Sequence, residues 1–172
     1  MGAAAVIALA SFITHFEGRV YEAHQDSYGL FAICAGYTKD VKPGDTATPE
    51  ECDARTLESI RDAEDVLRRA VPDLDPILYP AFVSFIYNNG TGRAGLKDGF
   101  LVLKNGKPST MLLLLKARNY AAACDELPKW TKSDGRQLKG LVTRRRAERG
   151  LCHENLQLFN NRQSILSGRL DA

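Results

Sequence analysis

Residues 2–13 form an apolar run without a charge, and the pattern continues at helical spacing to Glu17 before Gly18, a residue suited to ending helices. This predicts a first helix over residues 4–17. Residues 19–45 replace that period with short β-prone runs of Tyr, Val, Ile and Phe broken by glycines, which predicts a small hairpin or meander. Thr48-Pro49-Glu50-Glu51 then carries a capping threonine, a first-turn proline and a glutamate that completes a capping box. The helix that it starts runs to about Val71. It places Cys52, Leu57, Ile60, Ala63, Val66 and Leu67 on one stripe, with Glu, Asp and Arg on the other face, the pattern of a core-facing helix.

Past Pro72 and Pro76 the periodicity is helical throughout. Pro80 opens a helix that Asn89-Gly90 closes, Met111–Leu115 reads as a buried helix, and residues 118–127 and 138–157 read as two more. Asp98-Gly99, Asn105-Gly106 and Asp134-Gly135 mark turns between them. There is no internal repeat, low-complexity tract or long linker. The expected class is α+β in a single domain: an N-terminal helix (1–17), a β-containing segment (18–47), a bridging helix (48–71), a helical part (72–158) and a C-terminal extension (159–172).

Composition narrows the function classes. A length of 172 residues, 44% hydrophobic and 26% charged, suits a globular protein with a substantial core. The net charge of +2 demands no anionic partner. Its distribution is uneven: residues 39–78 hold 6 Lys/Arg against 11 Asp/Glu, and residues 129–172 hold 10 against 4. The basic half suits attraction to anionic wall polymer or, equally, a solvated helix face. Arg144-Arg145-Arg146 with Arg149 lacks the interleaved aromatics of a nucleic-acid surface, so no nucleic-acid partner is expected. His15, His24 and His153 show no metal-ligand spacing, and His15 suits a structural role, so no metal and no cofactor are expected. Four cysteines permit three pairings or four buried thiols, and no Cys-x-x-Cys is present. Residues 2–13 fall short of the about 20 residues that a spanning helix needs and lack the basic start of a secretory signal.

Two carboxylates stand nine positions apart in unlike surroundings, Glu17 at the end of the apolar run and Asp26 between Gln25 and Ser27. Glycoside hydrolysis needs such a pair, one acid kept protonated by an apolar wall and one kept ionised by a wetter site. Solvated charges, a salt-bridged helix-terminal Glu or a turn-forming Asp fit the same spacing. Glu22 is a rival acid that breaks the nine-residue interval.

Thr14-His15-Phe16-Glu17-Gly18, with Asp26 and the series Gly29, Cys34, Gly36 and Thr38, resembles the active-site hairpin of phage-type lysozymes, the endolysins of tailed phages. The blocks at 49–53, 84–92, 123–130 and 135–149 resemble further landmarks of that family in the same order, so the likeness spans about residues 5–153. The resemblance implies a two-lobed lysozyme-like fold and a muramidase that cuts the β-1,4 bond between N-acetylmuramic acid and N-acetylglucosamine. In it Glu17 is the general acid and Asp26 the ionised partner, with an inverting outcome. Thr38, Tyr87, Asn88 and Arg136 become saccharide contacts, and an Arg of the C-terminal helix a partner for one acid. Cys34 pairs with Cys52 and Cys124 with Cys152, which suits the periplasm. Bacterial peptidoglycan is the implied partner of a monomer. Some members export themselves through an N-terminal signal-anchor, and residues 2–13 read either as a weak form of one, associating transiently with membrane, or as a buried first helix.

The chain departs from the family pattern at Ala32, where a Thr usually stands, and at Ala35 and Tyr37. A Thr hydroxyl can hold a water beside the Asp and a methyl group cannot. A second expectation therefore stays open: a catalytically impaired lysozyme-like protein that binds peptidoglycan or regulates.

Overall fold

The computed structural model describes residues 1–25, 29–133 and 135–168. Asp26, Asp134 and the last four positions of the expected extension lie outside the described residues. The chain divides into two compact units, Gly2–Asp62 and Ala63–Ala172 with Met1. Among the described residues no helix is long and apolar enough to cross a membrane.

The first unit opens with helix α1 (Ala3–Glu17), which Gly18 ends with φ +72° while its N–H donates to Thr14 O. Leu9 and Ile13 are buried but Ile7 is exposed, so the buried-helix expectation holds for one face only. Strand β1 (Val20–Gln25) pairs antiparallel with β2 (Phe31–Cys34), placing His24 opposite Ala32 and Gln25 opposite Phe31. Residues 45–47 line the other edge of β1: Ala23 N–H donates to Asp45 O and Ala47 N–H to Tyr21 O. Helix α2 (Pro49–Ala70) starts with the predicted capping box, Thr48 N–H on Glu51 Oε2 at 2.8 Å and Glu51 N–H on Thr48 Oγ1 at 3.2 Å. The Cys34–Cys52 disulfide ties β2 to this helix, and Ile33, Tyr37, Val41 and Ala47 pack around it.

The second unit is helical around one long element. Asp75 caps a 3₁₀ turn (Pro76–Leu78) that leads into α3 (Tyr79–Asn89), whose apolar face from Tyr79 to Ile86 is buried. Ser109 caps α4 (Thr110–Lys116) and Asn119 caps α5 (Tyr120–Glu126). Within the leucine run Met111, Leu112 and Leu115 are buried and Leu113 is exposed, because a helix turns a continuous apolar run through solvent as well as core. The expected 118–127 helix starts two residues late, since Arg118 takes φ +57° and Asn119 caps.

A second antiparallel pair, β3 (Lys132–Ser133) with β4 (Arg136–Gln137), interrupts a stretch read as helical. Helix α6 (Lys139–Leu166) then packs on α3, α5, the Pro76–Leu78 turn and a second 3₁₀ turn at Leu127–Lys129, and Cys124–Cys152 joins it to α5. It runs nine residues past its predicted end, through most of the region expected as an extension. Nothing in residues 158–166 breaks a helix, so the element continues.

Candidate active site

Glu17 is the last residue of α1, half-buried, and Gly18 immediately turns the chain toward β1. Gly18 stands at φ +72° and ψ −168°, a conformation open to glycine and rare for residues with a side chain, so the chain can leave the helix at that point. A glutamate there stands where helix gives way to strand, one residue after Phe16, whose ring packs edge-on against His15 at 5.0 Å and tilted against Phe12 at 5.1 Å. His15 is exposed beside this ring. Asp26 follows Gln25, the end of β1, and lies outside the described residues.

Ala32 is 4% exposed in β2. Beyond the strand, Ile33 and Tyr37 exchange both backbone hydrogen bonds across a tight turn, with Cys34 at φ +60° and Gly36 at φ +83°. Tyr37 Oη donates to Glu58 Oε2 at 3.0 Å, Lys39 Nζ donates to Glu58 and to Asp62, and the Arg55 guanidinium lies 5.4 Å from the Tyr37 ring centre. Burial and the neighbouring Glu58 carboxylate push the Tyr37 phenol up, while Lys39 and then Tyr37 hold Glu58 below the usual carboxylate range. Thr38, exposed, sits between two residues of this network, so its position is tied to α2.

In the second unit Tyr87 and Asn88 occupy the last turn of α3, both half-buried, whereas Phe85 and Ile86 before them are core. Arg136 is exposed in β4, opposite Ser133.

Asn88 belongs to a buried polar network that the sequence does not advertise. Arg145 is fully buried: Nε donates to Trp130 O at 3.1 Å, Nη1 to Glu148 and Nη2 to Asn88 Oδ1. Its guanidinium lies 4.7 Å from the Phe85 ring centre, and Phe85 meets Trp130 edge-on at 5.1 Å. Glu148, also fully buried, accepts further bonds from Ser84 Oγ at 2.7 Å and Arg144 Nε at 3.0 Å. Burying such charges is tolerable only because each is paired and hydrogen-bonded. The run of arginines is thus split: Arg144 and Arg145 point into the core while Arg146 and Arg149 face out. The helical period that separates 144 and 145 from Glu148 by four and three was the available signal.

Nearby, a hollow of about 440 Å³ is lined by Asp98, Lys104, Thr110, Glu126, Lys129 and Trp130, among others. An indole face beside charged and amide groups suits sugar C–H faces and polar substituents. Glu126, Lys129 and Trp130 of this set stood in a family block, and no local spacing pointed to the others. The turn supplying Asp98 folds back because Gly92 (φ +87°) and Gly99 touch through their backbones.

Known proteins resemble this chain in sequence and in fold. The chain is 36% identical over 141 residues to the SAR-endolysin of Bacteriophage PS119, covering 79% of this chain and 75% of that protein. A P22 lysozyme mutant matches with a TM-score of 0.64 at 29% identity, over 88% of this chain and 96% of that one. The active form of the P1 phage endolysin shares the fold, with a TM-score of 0.71 at 22% identity over 91% and 96% of the two chains. The sequence model of phage lysozyme matches residues 14–148, a span that begins three residues before Glu17 and ends at the buried Glu148. This chain is a member of the phage lysozyme family.

Proposed function

We propose that this protein is an endolysin, a muramidase that hydrolyses the β-1,4 bond between N-acetylmuramic acid and N-acetylglucosamine in bacterial peptidoglycan and so lyses the host cell. Its family membership carries the glycosidase activity, and the match across residues 14–148 includes both carboxylates. Glu17 protonates the leaving oxygen. Asp26 stays ionised and directs a water to the sugar carbon, or stabilises positive charge on the ring, in an inverting displacement. Thr38, Tyr87, Asn88 and Arg136 contact the saccharide, the aromatic edge meeting C–H faces and the amide meeting hydroxyl or carbonyl oxygens.

The observation supporting Glu17 as the acid is its place at the junction of α1 and β1, half-buried, with Phe16 and Ile13 in the turn before it. The protein works as a monomer on the cell wall from the periplasm, where two disulfides are stable. Residues 2–13, with Ile7 exposed, associate transiently with membrane before release.

Glu17→Gln tests the assignment, because the amide keeps the shape and loses the proton. Turbidity clearing of purified peptidoglycan should fall by at least about a hundredfold, the usual worth of a general acid, with an unchanged melting temperature. Clearing at the wild-type rate would end the assignment.

A further inference from the structure

We propose that the second unit carries an anion site of its own, a hollow between the ends of α2 and α4 that takes a phosphorylated sugar. The inference does not depend on the glycosidase reading above.

The hollow measures about 350 Å³, within the range of pockets that hold small molecules. Its floor is apolar: Val71 and Leu115 are buried, and the half-buried Tyr120 ring meets Phe159 of α6 edge-on at 5.6 Å. Its rim is cationic, with Arg69, Lys116 and Arg118 set against a single carboxylate, Asp73. Among the described residues the Arg69 guanidinium and the Lys116 ammonium enter no hydrogen bond or ion pair. Arg118 Nη2 stands 3.6 Å from Asp73 Oδ2, too far for a hydrogen bond, and both side chains are exposed. Three cations are thus gathered round one hollow with most of their donors unspent.

Cations near helix carbonyl ends are ordinary, since they offset the partial negative charge there, and α2 ends at Ala70 and α4 at Lys116. That accounts for the sign of the charge but not for Arg118. Helix α4 closes with Asn119 N–H on Leu114 O at 2.9 Å and Arg118 N–H on Leu115 O at 3.0 Å, the paired bonds of a Schellman turn, with Arg118 at φ +57°. Glycine usually takes that position, because a Cβ is strained there. An arginine one residue earlier or later would serve the helix end without the strain. Here the strained residue lines the hollow, and strain of this kind persists where a site makes use of it.

Charge and shape then name the ligand. A phosphate monoester carries about −1.5 to −2 charges and three acceptor oxygens, a match for three cationic donors. A carboxylate brings one charge and two oxygens. The apolar floor with its tyrosine ring suits the C–H face of a sugar that bears the phosphate. Such a group occurs free in solution or on a glycolipid.

Titration of the wild type with glucose 6-phosphate, followed by amide NMR shifts, should saturate, with the changes concentrated at residues 69–73 and 115–120. Glucose should produce none there, and glucuronate should bind at least about fivefold more weakly. Arg69→Gln and Lys116→Gln should each raise the Kd for glucose 6-phosphate about fivefold, the weight of one exposed charge contact. Arg118→Gly should raise it similarly while moving the urea midpoint upward, since glycine relieves the strained position. Co-sedimentation with lipid A vesicles, reversed by glucose 6-phosphate, would place the phosphosugar on a glycolipid; soluble binding without it would place the ligand in solution. The proposal is overturned by the lack of a saturable shift, by an equal response to glucuronate, or by unchanged affinity in any of the three variants. An Arg118→Gly midpoint below that of the wild type would overturn it too, since Arg118 would then serve the helix end alone.

Discussion

Ser84 in α3 donates a 2.7 Å hydrogen bond to Glu148 in α6, 64 residues away, and both side chains are fully buried. The bond matters because Glu148 also faces Arg144 and Arg145, two guanidiniums that would otherwise share the interior without this carboxylate. Removing one member of such a group leaves an uncompensated buried charge, which typically costs about 3–5 kcal/mol. Glu148→Ala should therefore lower the urea midpoint by that equivalent, and Ser84→Ala by about 1–2 kcal/mol. A Glu148→Ala protein as stable as the wild type would mean that the network contributes no net stability.

The glycine pair in the turn before α4 gives a sharper geometric expectation. A Cβ on Gly92 would stand 2.0 Å from Val102 O and 2.7 Å from Gly99 N, at a φ of +87° that side chains seldom adopt. Gly92→Ala should destabilise the protein by more than about 1 kcal/mol, with hydrogen exchange rising first in residues 90–108. Gly95→Ala, which meets nothing within 4 Å although its φ is +78°, should cost only the conformational part.

Both disulfides close loops, of 18 and 28 residues in sequence separation. Loop closure of that length is worth about 3 kcal/mol. Replacing Cys124 and Cys152 together by Ala should lower stability by that order, read from urea unfolding without reductant. Reduction of the wild type should reproduce the loss, and a drop below about 1 kcal/mol would argue that the bridge constrains little of the unfolded chain.

The Tyr37–Glu58–Lys39 network predicts a pH dependence. The pKa of Glu58 is lowered in the folded protein, first by Lys39 and then by Tyr37, so its stabilisation is present above the unfolded carboxylate pKa and fades as pH falls through the folded value. Tyr37 is raised, so its contribution is whole below the ordinary phenol pKa and is lost as pH climbs through the folded one. Wild type and Glu58→Gln should converge in stability in acid, and wild type and Tyr37→Phe in strong base. Parallel curves across the range would show that the groups titrate alike folded and unfolded.

Ala32 separates the two activity readings. It is nearly inaccessible in β2, opposite His24. With the protein as a working glycosidase, Ala32→Thr should change peptidoglycan clearing less than about threefold, a shift below 1 kcal/mol. A large gain from a near-silent parent would instead mark an enzyme that has lost its water-positioning hydroxyl.

Much of the fold was open to reading in the chain because its signals are local. The Gly18 stop, the Thr48–Glu51 capping box, the α2 stripe and the closure of α3 at Gly90 each need only a few neighbouring residues. The paired carboxylates and the ordered blocks reached the family for the same reason. The β3–β4 pair and the full length of α6 escaped, since two-residue strands carry no period and a helix without a breaker has no written end.

What only the tertiary structure decided is which polar groups meet far apart in sequence. Arg145, Asn88, Trp130, Ser84 and Glu148 come from three separate stretches, and the spacing to Glu148 that sets Arg144 and Arg145 apart from Arg146 does not say which groups of the other stretches they meet. Burial makes the distinction: a charge removed from water must find partners, and the packing of α6 on α3 determines where they are. Local sequence wrote the elements, while desolvation at their contacts chose the donors and acceptors.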